Sequence, residues 1–189
     1  MSKRHVAEGA PRRGMNPTGT AQTGLIVLRG NSGSGKSATA RALREHLGRR
    51  LALVEQDYLR RIVLKVRDTA EGPHYGLIEQ TVRYVLDAGY DVVLDGILHR
   101  GRYADLLVRL ARDHQGPTLP YYFDVSWAET LRRHSARPQS LEFSAEEMAG
   151  WYCPNDLLGW PEEQLVPEAA TLAETTACIL ADLERAKAS

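Results

Sequence analysis

A glycine-rich loop between an apolar run and an amphipathic segment constrains this chain more than any other feature. Residues 30–37 read GNSGSGKS and fit the phosphate-binding pattern G-x-x-x-x-G-K-[ST] at every fixed position. The preceding run LIVLR predicts a buried strand, and the residues after the loop predict a helix with Ala40, Leu43 and Leu47 on one face. Strand, loop and helix in this order are the context that the pattern requires.

Each fixed residue of the loop suits the binding of a chain of phosphates. The glycines permit backbone dihedrals that turn consecutive N–H groups inward, and the following helix adds its positive N-terminal end. Lys36 is predicted to reach the β- and γ-phosphates, and the Ser37 hydroxyl to ligate Mg²⁺. The alternative is a glycine-rich turn that only joins a strand to a helix. The residues predicted to bind the nucleotide are Gly30, Asn31, Ser32, Gly33, Ser34, Gly35, Lys36, Ser37 and Ala38.

Strand-like and helical patterns alternate through the rest of the chain. Further strands are predicted at 51–55, 91–94, 121–125 and 164–166, with a basic helix that includes residues 60–67 and further helices at 75–88, 100–114 and 171–185. Ser or Thr followed three residues later by Glu predicts helix starts at 126, 144 and 171. Because parallel strands need crossover connections, this alternation predicts an α/β P-loop NTPase fold, with a parallel five-stranded sheet flanked by helices on both faces.

Length and composition limit the organisation and the partners. The 189 residues suit one domain, predicted as a flexible leader at 1–23 and a domain at 24–189 with a small helical lid at about 133–152. The 24 basic and 24 acidic residues balance, so no overall basic field favours nucleic acid as a partner. Two cysteines form no framework, which favours the cytoplasm, and no apolar run is long enough for a membrane span.

Two carboxylates are predicted at the carboxyl edge of the sheet, where open α/β sheets bind ligands. Asp57 follows the second strand and can accept the proton of an attacking hydroxyl, although its position also suits a helix N-cap. Arg60 lies one turn later and can bind a phosphate or carboxylate of the acceptor. Asp95 ends a hydrophobic strand and is predicted to hold Mg²⁺ together with Ser37, the alternative being a plain Asp-Gly turn with Gly96.

Two arginines follow the fourth strand at a spacing of one helical turn. Arg133 and Arg137 precede the loop-like PQSLEF and another helical segment, so they are predicted to lie on a lid that closes over bound nucleotide. There they would place positive charge beside the transferring phosphoryl group. The alternative is a solvated basic helix.

Several of these segments together resemble a known group of kinases. GNSGSGKS, QDYLRR, VVLDG and FDVSWAETLRRHSARP followed by EEMAGWY are similar to the P-loop small kinases of the polynucleotide-kinase, zeta-toxin and chloramphenicol-phosphotransferase group, over about residues 25–152. The resemblance implies that Asp57 is the catalytic base, that Arg60 contacts the acceptor, and that Arg133 and Arg137 close on ATP. This group phosphorylates nucleic-acid ends, nucleotide sugars and antibiotics, so the resemblance does not imply one acceptor.

The sequence as a whole predicts an ATP- and Mg²⁺-dependent kinase that transfers the γ-phosphoryl group to a hydroxyl of a small molecule. The predicted catalytic residues are Lys36, Asp57, Arg133 and Arg137, and the predicted acceptor-binding residues are Asp57, Arg60 and Gly96. One alternative is a 5′-hydroxyl polynucleotide kinase, in which nucleic acid replaces the small acceptor. The other is a nucleotide-binding switch or regulatory ATPase without an acceptor.

Overall fold

A computed structural model describes residues 16–135 and 144–188 of the chain. In this part of the chain five parallel strands form one sheet. The strands are β1 Leu25–Gly30, β2 Leu51–Glu55, β3 Asp91–Asp95, β4 Thr118–Asp124 and β5 Gln164–Pro167. Their order across the sheet is β2-β3-β1-β4-β5, and the predicted class, an α/β fold with a five-stranded parallel sheet, is confirmed.

Helices cover both faces of the sheet. They are α1 Lys36–Leu47, α2 His74–Asp87, α3 Arg100–Asp113, α4 Trp127–Ser135, α5 Ala145–Ala149 and α6 Leu172–Ala188, and a short 3₁₀ turn, Gly48–Arg50, precedes β2. All six residues of β1 are buried, and it presents apolar side chains to both faces of the sheet. Leu25 and Val27 pack into one core with α2 and α3, whereas Ile26 and Leu28 pack into a second core with α1 and α6.

The segment after β2 differs from the regular helix predicted over residues 60–67. It forms a short π-helix, Tyr58–Val63, in which the Leu64 N–H donates to the Leu59 carbonyl, and Lys65 then takes a φ of 54°. The predicted basic helix is therefore present as a π-helix that ends at Val63, and residues 64–67 lie outside it. Its large apolar side chains Tyr58, Ile62 and Val63 are exposed.

Part of the segment predicted as a leader packs against the domain. The Thr18 hydroxyl donates to Asp87 at 2.8 Å, its N–H donates to the Asp113 carbonyl, and the Thr23 hydroxyl lies 3.1 Å from His114 Nε2. Both threonines are buried. Residues 16–23 therefore pack on the domain, and residues 1–15 lie outside the described residues.

Two of the three predicted capping boxes form. Ser144 with Glu147 and Thr171 with Glu174 exchange the expected hydrogen bonds. At Ser126 only half of the box forms, because the Glu129 carboxylate binds two arginines and the Ser126 N–H donates to Glu168 instead, at 2.8 Å. Within the described ranges, no helix is both long and apolar enough to cross a membrane.

Candidate active site

The glycine-rich loop has the backbone that the pattern requires. Gly30, Gly33 and Gly35 have φ values of 136°, 83° and 111°, a range that favours glycine. A Cβ at Gly30 would lie 2.7 Å from the carbonyl oxygen of Phe123 on the neighbouring strand, so a side chain does not fit there. Helix α1 starts directly after Gly35, which directs its N-terminal end at the loop.

Lys36 lies inside this loop. Its ammonium donates to the Asn31 carbonyl at 2.7 Å and to the Ser34 hydroxyl at 3.2 Å, and the residue is buried. The positive charge is therefore held where the inward-facing loop amides would receive phosphate oxygens.

Ser37 and Asp95, the two residues predicted to hold Mg²⁺, are in direct contact. The Ser37 hydroxyl donates to Asp95 Oδ2 at 2.6 Å, which joins the start of α1 to the end of β3. Burial raises the pKa of the Asp95 carboxyl, while the charge of Lys36 and the Ser37 hydrogen bond lower it. Asp95 Oδ1 is buried and has no hydrogen-bond partner among the described residues. A buried, unpaired carboxylate oxygen beside a hydroxyl is a donor set that fits Mg²⁺.

Two adjoining cavities open at the carboxyl edge of the sheet. The first, about 270 Å³ and here named the phosphate cavity, lies over the loop and β3. The second, about 590 Å³ and here named the acceptor cleft, extends from it toward α3 and the segment after α5. Four residues line both of them: Ser32, Asp57, Arg61 and Ile97.

Asp57 therefore lies on the wall between the two cavities, with its side chain 55% exposed. Within the described residues it makes no capping hydrogen bond to the π-helix that follows, so the N-cap interpretation is not supported. Instead it pairs with Arg60 at 2.6 Å, as their spacing of three residues allows. Gly96 lines the phosphate cavity, and a Cβ there would lie 2.7 Å from Gln56.

Arg133 contacts the loop directly. Its guanidinium donates to the Ser34 carbonyl at 2.9 Å and to the Glu168 carbonyl at 3.0 Å, and Nε donates to Glu129. The bonds from Arg132 and Arg133 lower the pKa of the Glu129 carboxyl to about 2, so this anchor stays ionised. Arg137 lies outside the described residues, and its predicted role stays a prediction.

A third cavity, about 230 Å³, lies on the other side of the loop and was not predicted from the sequence. It lies between the start of α1, β5 and α6, with Arg133 at its side and an otherwise mostly apolar wall. Its position beside a phosphate-binding loop and its size suit a flat nucleobase. The apolar side chains of its wall include Phe123, Val166, Pro167, Ala170 and Leu172.

Contacts that anchor the glycine-rich loop and the end of β1 to distant residues were also not predicted from the sequence. Asn31 makes a two-way bond with the backbone of Cys153, accepting from its N–H at 2.8 Å and donating to its carbonyl at 2.9 Å. The neighbouring Arg29 is fully buried and bonds Asp156 and Glu163 at 3.0 and 2.7 Å. These partners are more than 120 residues away along the chain, and no local pattern indicates such contacts.

This is an α/β protein in which glycines with positive φ, a buried lysine and a serine at the start of a helix have the arrangement of a phosphate-binding loop. The chain matches the AAA_33 family model, described as an AAA domain, over residues 25–149, which is more than half of its length. The chain therefore belongs to that family, a P-loop kinase family, and the resemblance found in the sequence is confirmed. A comparison with curated proteins gave no match.

Solved structures of kinases share the fold. An APS kinase of Mycobacterium tuberculosis in complex with AMPPNP and APS has a TM-score of 0.69 at 19% identity, covering 90% of this chain and 99% of that one. A sugar kinase of Janibacter sp. has a TM-score of 0.65 at 21% identity, covering 88% and 97%. A gluconokinase of Sinorhizobium meliloti has a TM-score of 0.60 at 22% identity, covering 87% and 93%. At these identities the similarity shows the fold.

Proposed function

We propose that this protein is an ATP- and Mg²⁺-dependent kinase that transfers the γ-phosphoryl group to a hydroxyl of a small molecule. The observation that carries the proposal is the position of Asp57 on the wall shared by the phosphate cavity and the acceptor cleft. A carboxylate at that boundary can accept the proton of a hydroxyl entering from the cleft while the hydroxyl oxygen attacks the phosphorus.

The loop side of the site supports the nucleotide half of the proposal. Loop amides and Lys36 bind the phosphates, and Arg133 places positive charge beside them from its bond to the Ser34 carbonyl. The mostly apolar third cavity receives the base. ATP is the proposed donor because the structurally similar APS kinase is described with AMPPNP, an analogue of ATP.

Ser37 and Asp95 would hold Mg²⁺, since the unpaired Asp95 Oδ1 and the Ser37 hydroxyl are oxygen donors side by side. When bound, the ion neutralises charge on the β- and γ-phosphates. Burial raises the pKa of the Asp95 carboxyl, and the chain's own contribution is to oppose that effect through the Lys36 charge and the Ser37 hydrogen bond.

The size of the acceptor cleft favours a small molecule over a polynucleotide. Its volume of about 590 Å³ lies within the range typical of small-molecule sites. The balanced charge of the chain as a whole gives no overall positive field that would favour a nucleic-acid backbone. The cytoplasmic location suggested by the two cysteines stays a prediction.

The test is a screen of ATP consumption and product mass across nucleosides, sugars, sugar acids, sugar phosphates, aminoglycosides and 5′-hydroxyl oligonucleotides. Wild-type protein is compared with Lys36→Ala, which loses the charge at the loop and is expected to lose on the order of 10²-fold or more in rate. Arg49→Gln, on the exposed turn before β2, is the control.

Three outcomes separate the alternatives. Phosphorylation of one small acceptor, abolished in Lys36→Ala and unchanged in the control, supports the proposal. Transfer to oligonucleotides alone would replace it with the polynucleotide-kinase alternative. ATP binding without transfer to any compound, or transfer by Lys36→Ala at the wild-type rate, would contradict it.

A further inference from the structure

Four arginine side chains line the acceptor cleft. They come from three parts of the chain that meet there: the π-helix, the segment after it and the start of α3. The guanidinium groups belong to Arg60, Arg61, Arg67 and Arg102. Four arginines around one small cavity produce a strong positive potential unless neighbouring carboxylates cancel it.

Three carboxylates line the same wall, and two of them are paired with its arginines, so only part of the positive charge is cancelled. Asp57 pairs with Arg60 at 2.6 Å, and Glu147 accepts from the Ser144 N–H in the capping box of α5. Asp68 accepts hydrogen bonds from neighbouring side chains and also pairs with Arg102 at 3.2 Å. Its donors besides Arg102 are Tyr75, Tyr103 and His74, at 3.4, 3.1 and 3.1 Å.

Asp68 therefore fixes the segment that carries Arg67. Its contacts tie the residues after the π-helix to both α2 and α3, and Arg102 additionally donates to the Asp68 carbonyl at 2.8 Å. Arg67 directly precedes Asp68, and within the described ranges its exposed side chain has no hydrogen bond or ion pair. A cation held on a fixed backbone with no protein counter-ion is prepared to bind an external anion at low entropic cost.

The two arginines around Asp68 lie away from the nucleotide phosphates. Arg61 lines both cavities, whereas Arg67 and Arg102 line only the acceptor cleft. Their charge therefore acts on the acceptor rather than on the triphosphate. The same cleft has Asp57 at its inner end, where the reacting hydroxyl is proposed to lie.

We infer that the acceptor carries an anionic group, a phosphate or a carboxylate, which binds between Arg67 and Arg102 while its reacting hydroxyl lies at Asp57. The inference rests on the proposed function for the role of Asp57, but the anion site itself is independent of catalysis. A guanidinium pair recognises either oxyanion through charge-assisted hydrogen bonds.

The binding test uses equilibrium dialysis with radiolabelled sulfate after AMPPNP and Mg²⁺ have filled the phosphate site. Wild-type protein is expected to bind one further sulfate, and Arg67→Gln is expected to bind it about 10-fold or more weakly, the effect of losing one charge-assisted contact. Because the Arg67 side chain is exposed, this change leaves the fold intact. Arg49→Gln removes an equal charge in the exposed turn before β2, at the amino-terminal end of the strands and away from the cleft, and is the matched control.

Labelled phosphate and labelled acetate, tested in the same way, distinguish a phosphate-bearing acceptor from a carboxylate-bearing one. The activity test compares glucitol, gluconate and glucitol 6-phosphate, which share a carbon chain and differ in charge. One anionic member is expected to be phosphorylated with a kcat/KM at least 10-fold above that of glucitol, and Arg67→Gln is expected to remove this preference through KM.

The failure of this inference can be told from the failure of the proposed function. Sulfate that does not bind to the nucleotide-loaded protein, or that binds equally to Arg67→Gln, overturns the anion site even if a kinase activity is found. A neutral acceptor used at least as well as its anionic counterpart also overturns it. Sulfate binding lost in Arg67→Gln, in a protein that transfers no phosphoryl group, keeps the anion site and overturns the kinase.

Discussion

The sharpest consequence of this site is that Asp95→Asn should make the protein more stable and less able to use Mg²⁺. The carboxylate is buried, its pKa is raised by that burial, and one of its oxygens is unpaired within the described part of the chain. Asparagine keeps the shape and can still accept the 2.6 Å hydrogen bond from Ser37, but it carries no charge.

The magnitude follows from the cost of burying a charge. Leaving a buried polar group without a partner costs about 1–3 kcal/mol, and more when the group is charged. The asparagine NH2 takes the place of the unpaired oxygen and still has no partner, so only the cost of the charge is removed, and the free energy of unfolding should rise by about 1 kcal/mol. About 1 kcal/mol shifts the Tm of a domain of this size by roughly 2–4 °C. A functional residue that destabilises its own fold is expected where charge is needed for a ligand.

Thermal melting without nucleotide, and again with ATP and Mg²⁺, measures both effects in one experiment. Without ligands, Asp95→Asn should melt a few degrees above wild type. With ATP, added Mg²⁺ should raise the Tm of wild type and have little effect on the variant. The Mg²⁺ effect in wild type should also weaken as the pH falls through the raised pKa of Asp95, because a protonated carboxyl cannot ligate the ion. A variant that melts lower and keeps its Mg²⁺ response would refute this account of Asp95.

Three further predictions concern the surroundings of the site. Arg133→Ala should lower phosphoryl transfer on the order of 10²-fold in a folded protein, since it removes charge beside the phosphates; an unchanged rate would leave Arg133 a surface residue. Burial lowers the pKa of His114 from its ordinary 6.5 to about 4, so the unfolded chain binds the extra proton between these values. The free energy of unfolding should therefore fall by up to about 3 kcal/mol as the pH drops through that range, and urea titrations of His114→Gln should show a flatter dependence. Arg29→Met should cost about 3–5 kcal/mol, because it leaves Asp156 and Glu163 without their cation, and adding Glu163→Gln should recover part of the loss.

The parts of the fold that local patterns encode were predictable from the sequence. The strand 51–55 has the predicted bounds, and on the predicted face of α1 Ala40 and Leu43 are buried and Leu47 is half-buried, because apolar periodicity alone places them. The position of Ser37 and Asp95 at the same edge of the sheet was also predictable, since a fixed loop pattern and a strand end lie at one edge of a parallel sheet.

Features that depend on distant partners were not predictable. Arg29 occupies a buried strand position only because Asp156 and Glu163 reach it from far along the chain. The π-helix after β2 has the sequence of an ordinary helix, and no local pattern distinguishes the two. The arginines of residues 60–67 predict a basic helix, and only the folded chain shows that Arg60, Arg61 and Arg67 line a cleft.

The third cavity, beside the phosphate-binding loop, illustrates a third limit. Val166, Pro167 and Ala170 are ordinary apolar or turn residues, and no chemistry distinguishes them until β5 is seen beside the phosphate-binding loop. The same holds for Asn31, whose bond to Cys153 depends on a loop more than 120 residues away. Such sites become visible only when the sheet order is known.

The central claim is that Asp57 accepts the proton of an acceptor hydroxyl during transfer of the γ-phosphoryl group. The most direct measurement is the rate of that transfer from ATP·Mg²⁺ to the acceptor found in the screen, for wild type and for Asp57→Asn at equal nucleotide saturation. Asparagine keeps the shape and removes the proton acceptor, so the account predicts a rate lower by about 10² to 10⁴ with unchanged ATP affinity and stability. A folded, ATP-binding Asp57→Asn protein that transfers at the wild-type rate would contradict it.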